Sequence, residues 1–344
     1  MDERADVRRA RRPVRLRGWG GVATMAGACA LTAVCALLPL TRHGGGADAD
    51  DGVPGTSSQQ PARQAAAPDC KDPEASLSPS STATDDQVKK IVGRGTLRVG
   101  IDQSSYGWGY LNPNKPLDPE HPEELGGTLE GFDIDLVHQI AKGILGDANA
   151  VRFLAIPTDQ RIDAIKNNDV DMVVRTMTIN CDRLKDVSFS TAYFETGQQV
   201  LAPKTSRITG YNASLKGKRV CVAAGSTAQV ALEKESYGAK VLNSNVPNQL
   251  DCLVRMQLGR TDAIITDGAL AAGQASQDPT VELKGKPFTE EYYGVAMRKG
   301  ADALVRRVNQ VLTDWRGSGW RHSYNDWLKE DMGPSSGPPA AKYK

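Results

Sequence analysis

Apolar positions along the chain change their period several times, and each change marks an element. Leu97, Val99 and Ile101 alternate with polar residues over 96–101, the period of a strand. Ile134, Val137, Ile140, Ala141 and Ile144 recur every three or four residues, which predicts a helix over 134–145 with Asp133 as its N-cap. A short helix over 158–167, with Ile162 and Ile165 inward, leads into a strand over 170–175. A second series follows: strand 219–223, helix 227–237, strand 240–242, helix 248–258 and strand 262–266. A strand over 294–298 and two helices close the pattern. Trp320, Tyr324 and Trp327 are spaced by four and three, so they share one helix face, as core residues do. Periodicity does not say where this return segment packs.

Short strands alternating with amphipathic helices predict an α/β protein. The two series can be laid over one another. Arg98-Val99-Gly100-Ile101-Asp102 parallels Arg219-Val220-Cys221-Val222-Ala223, and 171–176 parallels 262–267. Two similar βαβ-type lobes follow. In such sheets ligands bind beyond the carboxyl ends of the strands, where Asp102, Thr176, Thr178, 224–227 and Asp267 fall.

Ahead of this body the pattern is different. Residues 18–40 contain no charge and are long enough to cross a bilayer, behind seven arginines and three acids within the first 17 residues. This predicts a basic leader plus signal peptide or membrane anchor over 1–40. Ala26-Gly27-Ala28 before Cys29 resembles a lipoprotein cleavage site, so lipidation at Cys29 and retention as an uncleaved anchor both stand. Either places the body on the extracytoplasmic face of the cell membrane. Residues 41–86 are rich in Gly, Pro, Ser and Ala and read as a disordered stalk, and 333–344 as a flexible tail.

Composition matters mainly through its distribution. The 344 residues hold 42 Lys plus Arg against 41 Asp plus Glu, for a net charge of +1. The positive excess lies in the leader, which leaves a mildly acidic body and no reason to expect nucleic acid as a partner. Of six cysteines, four lie in the body, an even number that suits disulfides outside the cell. Cys221 is in a strand and Cys252 in a helix expected on the same sheet, which pairs these two and leaves Cys70 for Cys181. No CxxC pair exists and the four histidines are scattered, so neither a metal nor a cofactor is expected.

The candidate cleft chemistry suits a zwitterion. Arg183, just past a strand end with Thr176 and Thr178, is fitted to grip a carboxylate through two parallel hydrogen bonds. Gly225-Ser226-Thr227 opens a helix and offers free amides, and Asp267 supplies the opposite charge.

These residues resemble a known family. Gly131-Phe132-Asp133-Ile134-Asp135-Leu136, 171–178 with Arg183, Phe189-Ser190-Thr191-Ala192-Tyr193, 261–267 and Tyr293-Gly294 agree in order and spacing with solute-binding protein family 3, the polar amino-acid receptors of ABC transporters. The resemblance implies a periplasmic-binding-protein type II fold, two α/β lobes joined by two hinge crossings with a ligand cleft between them. Lobe 1 is expected over 87–202 and 292–332, and lobe 2 over 203–291, with the return segment from Tyr293 back on lobe 1. By the same resemblance Thr178, Arg183 and Thr227 hold an α-carboxylate, Asp267 and the Thr176 carbonyl hold the α-ammonium, and Tyr293 lies beside them. Arg161 takes the place from which an arginine reaches the distal carboxylate of glutamate or aspartate. Asp102 departs from the lysine common in such members, which keeps Gln and Asn open unless Arg175 offsets it. Tyr106 and Trp108 are candidates for covering the ligand.

A narrower likeness is to the glutamine/glutamate-binding lipoproteins of high-GC Gram-positive bacteria, carried by Asp69-Cys70, 175–181, Leu201-Ala202-Pro203, 220–223 and Asp251-Cys252-Leu253. It supports the disulfide pairing and implies a membrane permease or a membrane signalling protein upstream of a kinase as partner. The chain departs from that group in its weak lipobox and in an insertion over 112–127, read as a solvated loop. The expectation is therefore a tethered, monomeric receptor without catalytic residues. The enzyme alternative is a cyclohexadienyl-dehydratase-like reaction on the same fold.

Overall fold

A computed structural model describes residues 70–114, 128–242 and 246–344. The leader, the apolar segment, Cys29, most of the stalk and the body of the insertion lie outside the described residues. Those that are described fall within one compact unit, Ala66–Lys344. None of their helices is long and apolar enough to cross a membrane.

Two five-stranded sheets form two lobes. In the first, strands run in the order Val151–Ala155, Leu97–Ile101, Met172–Val173, Ala296–Arg298, Val187–Phe189. The first three are parallel, and Ala296–Arg298 enters antiparallel to both neighbours. The return segment thus completes lobe 1. The second sheet has the order Lys240–Leu242, Arg219–Cys221, Ala263–Asp267, Gln198–Pro203, Val281–Lys284. A two-stranded ribbon, Phe194–Thr196 paired with Glu291–Tyr293, carries the chain between lobes. The strand Gln198–Pro203, assigned to lobe 1 by sequence, is hydrogen-bonded in the lobe 2 sheet, so the first crossing comes before Gln198 rather than after Ala202.

The internal repeat extends to its ion pairs. Val99 pairs with Met172 in one sheet and Val220 with Ala263 in the other, both parallel. Arg98 bonds Asp171 through guanidinium and backbone amide, and Arg219 bonds Asp262 in the same way. Equivalent strand starts are closed by equivalent pairs.

Helix Phe132–Leu145 packs its apolar stripe against Asp302–Trp315 and the sheet, within a core that includes Trp108, Phe132, Phe194, Tyr293, Trp320 and Tyr324. Trp320 and Tyr324 are buried there, while Trp327 is partly buried and donates its indole N–H to Asp135 at 2.7 Å. Gly131 precedes that helix with φ 131°, and a Cβ there would sit 2.4 Å from the Trp108 carbonyl oxygen, so no larger residue fits. The helix begins at Phe132 with Gly131 as its N-cap, so Asp133 is not the cap but lies inside the first turn.

Residues 70–85 and 333–344, expected as stalk and tail, pack on each other and on lobe 1. Ser76 is buried, donates its hydroxyl to the Phe189 carbonyl at 2.7 Å and bridges to Tyr343. Asn309 and Lys342 bind the same stretch. Proline- and glycine-rich composition gives no sign of such pairing, because it depends on partners more than 200 residues away.

Cys221 is joined to Cys252 and Cys70 to Cys181, with Cα–Cα distances of 5.6 and 5.8 Å. The first spans a sequence separation of 31, for which chain-entropy arguments give about 3.7 kcal/mol. Denaturant unfolding of the Cys221→Ser, Cys252→Ser double variant is expected to show a loss of that order, and no loss would contradict a constraint on the unfolded chain.

Candidate functional site

The carboxyl ends of both sheets meet at the ribbon, and the predicted residues converge there. Thr176, three residues past the strand Met172–Val173, has φ 41°, a left-handed conformation uncommon for a β-branched residue. Asp133 holds it in place, accepting the Thr176 N–H at 2.9 Å and the Tyr193 hydroxyl at 2.8 Å. Burial pushes the Asp133 carboxyl up to about 7, although both hydrogen bonds oppose the shift. The backbone after Thr176 is thereby turned into the cleft.

Arg183 donates to the Thr178 carbonyl at 2.7 Å and, across the lobes, to the Gly225 carbonyl at 3.2 Å. Gly225, with φ 70°, lies where a Cβ would be 2.7 Å from the Asp159 backbone, so only glycine lets the lobes approach this closely. Other bonds across the cleft run from the Arg175 guanidinium to Asn248 at 2.8 Å and from the Thr158 N–H to the Pro247 carbonyl at 2.9 Å. The lobes are closed on one another.

Arg161 opens the helix Arg161–Lys166 after a single 3-10 turn, at 4 % exposure. It donates to the carbonyls of Thr158 and Arg175 at 2.8 and 3.2 Å. Among the described residues, neither Arg161 nor Arg183 has a carboxylate within 4.0 Å. Desolvation lowers both guanidinium pKa values, and for Arg161 the charges of Arg183 and Arg175 add to the effect. A cation so placed is suited to an incoming anion.

Asp267 ends the strand Ala263–Asp267 and accepts the Tyr293 hydroxyl at 2.5 Å and the Gln198 amide. Burial, then the charge of Glu291, pushes its carboxyl up to about 7, with Tyr293, Arg183 and Arg161 pulling the other way. Arg161, Thr176, Thr178, Arg183, Gln198, Thr227, Gln249 and Asp267 line one cavity, with about 240 Å³ of space free of protein atoms when its opening to solvent is included.

Two predicted residues stand behind that lining. Asp102 is ion-paired with the fully buried Arg175 at 2.9 Å and also accepts from Ser104 and Ser105, so its charge is offset within lobe 1. Tyr293 reaches the cavity through Asp267. Trp108 packs edge-on against Phe194, Phe132 and Tyr293 with centroids 4.7 to 5.5 Å apart, and Tyr106 is 40 % exposed. Neither lines the cavity.

Gln198, Gln249 and Glu291 were not picked out by sequence. Gln198 donates to Thr227 at 2.9 Å as well as to Asp267, and its side-chain oxygen is buried with no protein partner. Its sequence signal is a pair of glutamines opening an otherwise apolar strand, Gln198–Pro203. Glu291 accepts the hydroxyls of Thr178 at 2.6 Å and Thr227 at 3.0 Å. Its signal is the strand period, which puts it on the same face as Tyr293.

Residues 97–330 match the bacterial extracellular solute-binding proteins, family 3. The chain belongs to that family. The glutamine-binding protein of an ABC transporter in Bacillus subtilis is 34% identical over 252 residues, which is 73% of this chain and 91% of that protein. The L-glutamate/L-aspartate-binding protein of Pseudomonas aeruginosa is 29% identical over 256 residues, 72% of this chain and 81% of that one. Among solved structures, an ancestral arginine-binding protein bound to glutamine is 34% identical with a TM-score of 0.60, covering 70% of this chain and 99% of its own. The family 3 fold accounts for the ribbon as a pair of hinge crossings and for the cavity as its interlobe cleft. This family 3 protein therefore has amino-acid-binding proteins among its relatives, one of them from an ABC transporter.

Proposed function

We propose that this protein is a membrane-tethered receptor on the extracytoplasmic face that closes on an acidic amino acid, L-glutamate or L-aspartate. The observation that carries the reading is that two guanidiniums, Arg161 and Arg183, share one cavity with Asp267 and, among the described residues, have no ion-paired carboxylate. In this reading Arg183, Thr178 and Thr227 hold the α-carboxylate. Asp267, the Thr176 carbonyl and the unpartnered Gln198 oxygen take the α-ammonium, and Arg161 with Gln249 meets the distal carboxylate. A charged ligand oxygen gains more from a buried guanidinium than an amide oxygen does.

Glutamine is the second reading. It is supported by the glutamine-binding relatives and by Glu291, which adds a negative charge to the site that the sequence count left out. The closed form would be read by a permease, as for ABC-transporter relatives, or by a membrane signalling protein. Against a dehydratase-like reading stands the arrangement of Arg183, Thr178 and Asp267 around one cavity, which suits an amino acid's two charged groups. Calorimetric titration of the exported body with Glu, Asp, Gln and Asn tests the proposal. Tightest binding of Glu or Asp is expected; tightest binding of Gln moves the assignment, and no heat with any of the four overturns it.

A further inference from the structure

Glu291 lies on the ribbon that joins the lobes, and its side chain does something the ligand is expected to do. In the strand Glu291–Tyr293, positions 291 and 293 face one way, both buried. Tyr293 sends its hydroxyl to Asp267, while a single oxygen of Glu291, Oε2, accepts both Thr178 and Thr227. Thr178 follows the lobe 1 strand Met172–Val173, and Thr227 is the first residue of the lobe 2 helix Thr227–Lys234. One carboxylate oxygen therefore ties the two lobes at the hydroxyls assigned above to the α-carboxylate. Its other oxygen takes a 3.3 Å bond from Thr289, a neighbour on the same connection. Among the charges acting on Arg183, that of Glu291 is the foremost.

We propose that Glu291 is an internal stand-in for the ligand's α-carboxylate, a latch that closes the empty receptor and that the amino acid must displace. The proposal rests on the assignment of Thr178 and Thr227 to the ligand carboxylate. Two carboxylates cannot share these hydroxyls without repulsion in a desolvated site, so ligand and Glu291 compete for them. When the lobes part, Thr227 moves with lobe 2 and the bridge breaks. The latch thus raises the closed population of the empty protein and lowers its affinity for the ligand.

The test uses the exported body with Glu291→Ala and the isosteric Glu291→Gln. Small-angle scattering of the unliganded proteins reads closure, and calorimetry with L-glutamate, L-aspartate and L-glutamine reads affinity. Glu291→Ala is expected to have a larger radius of gyration than wild type and to bind the preferred ligand about tenfold more tightly, with Glu291→Gln between the two. An unliganded variant as compact as wild type, or an affinity unchanged or reduced, overturns the latch. Should Glu291→Ala fail to fold, Glu291→Gln decides the matter by the same two readings. Absence of binding by wild type itself would overturn the ligand assignment, and the scattering comparison would still decide whether Glu291 ties the lobes.

Discussion

Arg183→Ala is expected to weaken amino-acid binding by a factor on the order of 100 or more. The guanidinium lies where its two faces serve different ends. One donates to the Thr178 and Gly225 carbonyls, which fixes its position and spans the cleft, and the remainder fronts the cavity. In the proposed binding mode its removal deletes a charge-assisted pair to the α-carboxylate, and it also removes one of the contacts that hold the lobes together. Arg183→Lys keeps the charge but not the planar fork, so an intermediate loss of about tenfold is expected. Calorimetry on both variants checks this. An Arg183→Ala variant that folds and binds within threefold of wild type would remove Arg183 from the site.

Asp267→Asn is expected to weaken binding by about 10- to 100-fold and to abolish a pH dependence present in the wild type. The Asp267 carboxyl, raised to about 7, is protonated in much of the empty protein near neutrality. An α-ammonium needs it ionised, so ligand entry expels a proton. Affinity therefore rises with pH, by about tenfold between pH 6 and pH 8, and levels off above. Stability of the empty protein runs in the opposite sense. A carboxyl whose folded pKa lies above its unfolded value of 3.8 keeps its proton longer in the folded state, so stability falls as pH rises from about 4 to about 7. Arg183, Arg161, Glu291, Tyr293 and Gln198 all act on Asp267, and Asp133 is raised to a similar range beneath Thr176. The Asn variant separates these contributions: a pH profile that survives Asp267→Asn would move the titrating group to Asp133.

The parts of the site that could be read from sequence are those set by strand ends. Thr176, Thr178, Arg183, Thr227 and Asp267 follow strands or open a helix, so local pattern places each at the cleft before any packing is known. Glu291 and Gln198 were missed because their roles depend on partners remote in the chain, Thr178 and Thr227 for Glu291 and Thr227 and Asp267 for Gln198. For Asp102 the sequence offered Arg175 as an offsetting charge without placing it: Arg175 lies just past a neighbouring strand, and only the sheet order brings the two together.

The chain's alternation of periods determined by itself that there would be two repeated α/β lobes, with Thr176 and Asp267 at matching positions and Arg183 a short way beyond the first. Such features follow from backbone geometry over a few residues. Tertiary structure decided where the first crossing falls, that residues 70–85 and 333–344 pack together, and that a fourth charge, Glu291, stands among Arg161, Arg183 and Asp267. Each of these depends on groups far apart in the chain brought into one desolvated space. There a hydrogen bond or a charge takes its meaning from the neighbour it meets and not from its place in the sequence.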